Sequence, residues 1–277
     1  AYDALSMAMA DAADEDADIA ANAVTWPDLD DDANEWLYTA ASQIGALGMG
    51  ADLQQISVKD WFFRDDAEPM RLVRQGMGTL VARLANGLPV AISTAARRIT
   101  SGINGRVRVE TNRGTLTAKS VIVTTSIGVL AAGSVAIEPG LSSDMATALG
   151  NLQMGSTLRI ALGFDQASPA LRFEPNSILL SQSADERGAE LFVRPFGLPM
   201  IVCTVGGSIA LDLEPQNEQA RRNFALDTLK QMIGSDATRG LHGSASSNWG
   251  RNPLTLGSVA LAKPGHLSPR QALQAPI

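Results

Sequence analysis

Few side chains in this chain are available for chemistry: two histidines, one cysteine and four lysines among 277 residues. His242 and His266 lie far apart, and neither has a cysteine or paired carboxylates at ligand spacing, so the sequence predicts no metal site. Cys203 stands in the apolar run Ile201-Val202-Cys203, where a thiol packs as a small hydrophobe. With no second cysteine there is no internal disulfide. The chain has no Gly-x-Ser-x-Gly elbow and no Ser/His/Asp pattern. Gly76-Met77-Gly78 lacks the further glycine and the preceding apolar strand of a dinucleotide fingerprint, and there is no P-loop. Lys59, Lys119, Lys230 and Lys263 sit in polar or mixed surroundings, and none reads as a buried amine.

The elements that must position any site are those of an ordinary globular chain. Hydrophobic residues make up 45% and charged residues 18%, with 25 Gly and 13 Pro, which excludes a disordered or collagen-like chain. The length fits two domains or one large one. A net charge of −7 argues against a nucleic-acid binder. The longest uncharged run, Val121 to Ile137, is broken by Thr, Ser and Gly and does not read as a membrane span. The chain opens at Ala1 with no signal-peptide pattern, and we expect an internal fragment. The cytoplasm is the favoured compartment, subject to any export signal upstream.

Charge is unevenly distributed. Ala1 to Val58 carries 12 acidic residues and no Lys or Arg, and the remainder carries 17 acids against 22 bases. Such a stretch reads first as solvated helical faces. Leu5, Met9, Ala12 and Ile19 predict a first helix running to about Val24, and Asp28 or Asp30 suits the cap of a second with Trp36, Leu37 and Ile44. A helix is expected over Thr79 to Leu84. Strands are predicted at Val90 to Ile92, Arg106 to Thr111 and Leu116 to Thr124, with turns at Asn104-Gly105 and Asn112-Arg113-Gly114. The continuous apolar run Val121-Ile122-Val123 suggests a strand covered on both faces. Further strands are predicted at Leu158 to Phe164, Ser177 to Leu180, Glu190 to Val193 and Met200 to Val205, then a helix from about Pro215 to Ile233. Strands preceding a helix, with few βαβ alternations, point to an α+β fold.

Three segments together resemble the flavin-containing amine oxidases, the family of monoamine oxidases, polyamine oxidases and flavin-dependent histone demethylases. The first spans Val73 to Leu130 and includes GLPVAIS (Gly87 to Ser93), ARRI (Ala96 to Ile99), the hairpin VRVETNRGTLTAKSVIVTT and IGVL (Ile127 to Leu130). The second, LGNLQMGSTLRIALGFD (Leu149 to Asp165), is similar to the family's Gly-x-x-x-Lys strand. The third and most specific, NWGRNPLTLGSVALAKPG (Asn248 to Gly265), is similar to the family's Trp-x-x-(Asp/Asn)-Pro-x-(Ser/Thr)-x-Gly-Ser signature.

The resemblance implies an amine-oxidase-like substrate domain, a mixed sheet plus helices, joined to part of a discontinuous FAD-binding domain. Residues 67–135 and 246–277 would belong to the flavin side, and residues 1–66 and 136–245 to the substrate domain. The family's opening glycine motif, whose amides hold the dinucleotide pyrophosphate, and its closing flavin segment have no counterpart here. We therefore expect the isolated chain to hold FAD weakly and to be inactive alone.

Residue by residue, the resemblance implies the following. Ala96 falls where a small apolar residue meets the adenine, and Thr124 and Ser126 occupy a strand-end turn near the dinucleotide, Ser126 replacing the usual Pro. Trp249 aligns with a tryptophan beside the isoalloxazine ring. Arg159 stands where the family most often has a lysine that binds a water against flavin N5, and its fork is bulkier. Ser258 falls where monoamine oxidases carry the cysteine bonded to flavin, so FAD here would be non-covalent. Val259 replaces a tyrosine of the aromatic cage around the substrate amine, removing a cation–π contact of roughly 0.5–2 kcal/mol.

The implied reaction is oxidation of a C–N bond, with hydride passing to flavin N5 and dioxygen reoxidising the flavin. The implied substrate is a small amine or amino-acid-like molecule. A related FAD oxidoreductase acting on amino acids or a carotenoid-like substrate is a rival within enzymes. A catalytically degenerate binding or assembly module that keeps the fold is the rival from another class, and the departures at Arg159 and Val259 favour it.

Overall fold

The computed structural model describes every residue except 16–17, 65–70, 104 and 267–268. Its eleven described strands are β1 (Ala96–Ile103), β2 (Arg106–Thr111), β3 (Gly114–Ala118), β4 (Ala136–Glu138), β5 (Leu152–Gly155), β6 (Thr157–Phe164), β7 (Ser177–Leu180), β8 (Ala189–Val193), β9 (Met200–Gly206), β10 (Leu241–Ser246) and β11 (Val259–Ala262). They form three sheets, ordered β3-β2-β1-β4, β10-β6-β9-β8-β7 and β11-β5. The five-stranded sheet is antiparallel throughout, and β1 and β4 form a parallel pair. Sheets with helices packed beside them make this an α+β fold.

The five-stranded sheet forms because period-2 alternation gives each strand one apolar face. Leu158, Ile160, Leu162 and Phe164 of β6, Leu191 and Val193 of β8, and Ile201, Cys203 and Val205 of β9 are buried together. Helices Gly207–Leu213 and Glu218–Ile233 cover this face with Ala210, Ala225, Leu229 and Ile233. Each fully buried leucine or isoleucine there contributes about 1.5–3 kcal/mol. The opposite face carries Thr157, Arg159, Thr204 and Glu190, since these residues alternate with the buried ones.

A second core holds the N-terminal helices. Helix Tyr2–Asp14 buries Leu5, Met9 and Ala13, one per turn, in one cluster with Leu37, Ala41 and Ile44 of the helical stretch 37–47 and Leu53, Ile56 and Val58 beyond it. Helix Leu37–Ser42 runs directly into a π turn, Gln43–Leu47, a local widening that recurs at functional sites. The Asp30 side chain caps the short helix Asp31–Asn34, accepting from the Ala33 N–H at 2.9 Å.

Several expectations from the sequence need correction. The first helix ends at Asp14, not near Val24, because Asp11, Asp14 and Glu15 crowd the negative end of its dipole with no basic residue in the last turn. Val90 to Ile92 is not a strand. It follows Pro89, which has no N–H to donate, and the strand in this region is β1, which follows. β3 stops at Ala118, and no described strand pairs with residues 119–126. Ile122 is therefore 88% exposed rather than covered on both faces. The last long helix begins at Glu218, where the Asn217 side chain accepts from the Ala220 N–H at 2.9 Å. The helix expected from Thr79 begins at Met77. The turn residue Asn104 and the boundary between 66 and 67 lie outside the described residues.

Candidate active site

β5 and β6 are consecutive strands separated by Ser156, and β5 pairs with β11 while β6 pairs with β9 and β10. The chain thus passes from the two-stranded sheet to the five-stranded sheet at one point, and a cleft of about 440 Å³ opens beside it. Met154, Thr157 and Arg159 line it from these strands, and Ser258 and Val259 from β11 and the residue before it. Ser126, Trp249, Thr255 and Gly257 supply one side, and Leu47 and Gly48 at the end of the π turn supply another.

Of the seven residues singled out from the sequence, the structure brings Ser126, Arg159, Trp249, Ser258 and Val259 together around this cleft. It does not bring Ala96 or Thr124. Ala96 opens β1 opposite Thr111, and Thr124 is exposed in the segment after β3. The sequence reading missed Thr157, Thr255, Leu47 and Gly48, which also line the cleft. Thr157 was findable, since it sits two residues before Arg159 on the same strand and must share its face.

Most hydroxyls of the cleft are spent on backbone. Ser126 Oγ accepts from the Val129 N–H at 3.2 Å, capping helix Ile127–Ala131, and donates to the Thr255 carbonyl at 2.5 Å. Ser258 Oγ donates to the Gly155 carbonyl at 3.0 Å, and Thr255 Oγ1 to the Trp249 carbonyl at 2.6 Å. Arg159 is different. Its backbone N–H donates to Ser247 Oγ at 2.9 Å, but among the described residues its guanidinium has no hydrogen-bond partner and is exposed.

Arg159 and Glu190 both stand opposite Thr204 in register, one on each flanking strand, so the three form a row across the face of the sheet opposite the apolar core. Burial pushes the Glu190 carboxyl above the usual range, and the Arg159 charge pulls partly against it. Burial likewise pushes the Cys203 thiol, on the core face, up to about 12. Trp249 is about half exposed and lines both this cleft and a second one of about 390 Å³ with Arg251, Asn252 and Pro253. Among the described residues no cluster of three or more His, Cys, Asp or Glu is placed to hold a metal ion. No described helix is long and apolar enough to cross a membrane.

The donor set fits one part of a flavin dinucleotide. An aromatic plane, an unspent guanidinium and a concave wall suit a heteroaromatic ring with acceptor atoms on its edge. Of the three places that the resemblance sets near the dinucleotide, Ser126 lines the cleft, whereas Ala96 and Thr124 are not gathered there.

Comparisons with known proteins agree with this chemistry. The family model for flavin containing amine oxidoreductases matches residues 6–277. The chain is 30% identical over 233 residues to a probable polyamine oxidase 4 of Arabidopsis thaliana, covering 79% of this chain and 44% of that protein. It is 29% identical over 257 residues to polyamine oxidase 4 of Oryza sativa subsp. japonica, covering 88% of this chain and 50% of that protein. Among solved structures, cyclohexylamine oxidase from Brevibacterium oxydans IH-35A superposes with a TM-score of 0.72 at 18% identity, over 100% of this chain and 66% of that one. The chain spans about half the length of the curated relatives it matches.

Proposed function

The chain belongs to the flavin containing amine oxidoreductase family, and we propose that within its full-length protein it forms the ring-side wall of a non-covalent FAD site where a C–N bond is oxidised. Residues 1–66 and 136–245 are assigned to the substrate domain, and 67–135 and 246–277 to the flavin side. The observation that carries this reading is the convergence of Ser126, Arg159, Trp249, Ser258 and Val259, from segments up to 133 positions apart, on one cleft.

When bound, FAD supplies the two-electron acceptor for amine oxidation, and dioxygen is the final acceptor. The chain's own residues do the rest. The Trp249 indole narrows the path and excludes water from the cleft. Arg159 keeps a fixed positive charge where its donors can hold an acceptor edge or a water. Ser258, with a hydroxyl already committed to Gly155, offers no thiol for a thioether. Val259 gives the amine an apolar wall without a π face. An amine is the substrate class favoured by the names of the relatives, polyamine and cyclohexylamine oxidases. Arg159 and Val259, at places where the resemblance implies a lysine and a tyrosine, favour a second reading, a non-catalytic module that keeps the fold.

Acid precipitation of the purified full-length protein tests the cofactor reading. The whole flavin content is expected in the supernatant as FAD. Flavin remaining on the pellet refutes the non-covalent assignment, and a protein that carries no flavin supports the non-catalytic reading.

A further inference from the structure

Glu214 is a buried carboxylate, 5% exposed, at the C-terminal end of helix Gly207–Leu213 and outside the cleft itself. A carboxylate is removed from water at high cost unless donors replace the lost hydration. Here two donors converge on one oxygen. Ser156 Oγ donates to Glu214 Oε1 at 2.9 Å, and the Gly250 N–H donates to the same atom at 3.1 Å.

These two donors belong to the two segments that define the cleft. Ser156 is the residue between β5 and β6, three positions before Arg159 on the chain. Gly250 follows Trp249 directly. A methyl group at Gly250 would lie 1.9 Å from Glu214 Oε2, so the loop sits flush against the carboxylate and any larger residue there must push the carboxylate aside. The Trp249 carbonyl is held from the other side by the Gly257 N–H at 3.1 Å and by Thr255 Oγ1. The main chain of Glu214 is held as well. Its backbone N–H donates to the Ala210 carbonyl at 2.8 Å, and its carbonyl accepts from the buried Arg221 guanidinium. Arg221 continues to Ser246 Oγ at 2.9 Å, just ahead of the Trp249 loop.

We infer that Glu214 is a positioning residue that seats Trp249 at the cleft and fixes it in register with the strand bearing Arg159. Its functional consequence rests on the reading of that cleft as the flavin site, whereas the seating itself does not. A carboxylate bonded to Ser156 and Gly250, the chain neighbours of the cleft residues Thr157 and Trp249, sets the indole without lining the cleft itself, as supporting hydrogen bonds do in preorganised sites.

The test uses the full-length protein labelled with 5-fluorotryptophan, with the Trp249 resonance assigned by its loss in Trp249→Phe. In protein stripped of flavin, Glu214→Ala is expected to shift or split this resonance. Glu214→Gln is expected to leave it in place, because an amide oxygen in the Oε1 position accepts both bonds. Gly250→Ala, which pushes on the same carboxylate from the loop side, is expected to shift it as well and decides the matter should Glu214→Ala not fold. With flavin restored, Glu214→Ala is expected to lose kcat/KM by on the order of tenfold to a hundredfold, and Glu214→Gln to stay near the parent. A parental Trp249 resonance in the alanine variants, or a Gln variant displaced as far as Ala, overturns the inference. A seat that shifts as expected in a parent whose Trp249 resonance ignores flavin leaves the inference standing and refutes the flavin reading of the cleft.

Discussion

Gly206→Ala is expected to loosen the whole cleft-forming corner of the molecule. Gly206 ends β9 beside the π turn, and its φ of −139° suits any residue, so space alone requires glycine. A Cβ there would lie 1.6 Å from the Ala46 carbonyl oxygen and 2.5 Å from its carbon. Both are backbone atoms, so no side-chain rotation relieves the clash. Reaching ordinary contact near 3.5 Å asks for a displacement of roughly 2 Å between β9 and the segment Gln43–Leu47. Overpacking of a core by a methyl group costs about 1–3 kcal/mol, and a backbone clash belongs at or above the top of that range. For a protein of this size about 3 kcal/mol corresponds to a fall in Tm of roughly 6–12 °C. The assay is thermal unfolding followed by circular dichroism, with Gly150→Ala as the control. Gly150 closes a helix, and a methyl group added there would meet no atom within 4 Å, so its substitution is expected to fall within about 0.5 kcal/mol of the parent. A Gly206→Ala protein that melts within about 2 °C of the parent refutes the packing of the π turn on β9.

Other consequences are smaller in scale. Glu190 has its native pKa raised above the unfolded value near 4.5, so the native state holds its proton more tightly than the unfolded chain. Its penalty on stability is absent well below pH 4.5 and grows as pH rises through the native pKa. Glu190→Gln is therefore expected to raise Tm at pH 7 and leave it unchanged at pH 4, and the gain is expected to be larger in an Arg159→Met background, where the opposing charge is gone. Equal gains at both pH values contradict this. Cys203, fully buried with its thiol pushed up to about 12, is expected to resist thiol reagents at pH 8 until the protein unfolds. Labelling of the native protein at the rate of a free thiol contradicts its placement in the core.

The five-stranded sheet was legible because alternation is strong in its central strands. Ser177 to Leu180 matches β7 end for end, and the strands read at Leu158 to Phe164 and Met200 to Val205 each gain a single residue in the structure. The hairpin at Asn112-Arg113-Gly114 was readable from turn chemistry alone, and the register Thr111 to Gly114 follows it. β10, Leu241–Ser246, was not legible. Its residues Leu-His-Gly-Ser-Ala-Ser carry no strand pattern, and they are extended because the free edge of β6 takes them as a partner. The site was hidden for a similar reason. Arg159, Trp249 and Ser126 have no local signal in common, and it was the family resemblance that drew them together. Glu214 left no mark at all. A glutamate at a helix end before Pro215 reads as a solvated cap, and only the fold shows that Ser156 and Gly250 close over it.

The most direct measurement is the anaerobic visible spectrum of the full-length protein during mixing with amines, followed by admission of dioxygen. Flavin absorbance is expected to bleach with an amine and to return with oxygen, while Arg159→Met retains its flavin and bleaches more slowly. A parent that binds flavin yet is bleached by no amine, or an Arg159→Met variant that bleaches at the parental rate, contradicts the assignment of this cleft as the place where the C–N bond is oxidised.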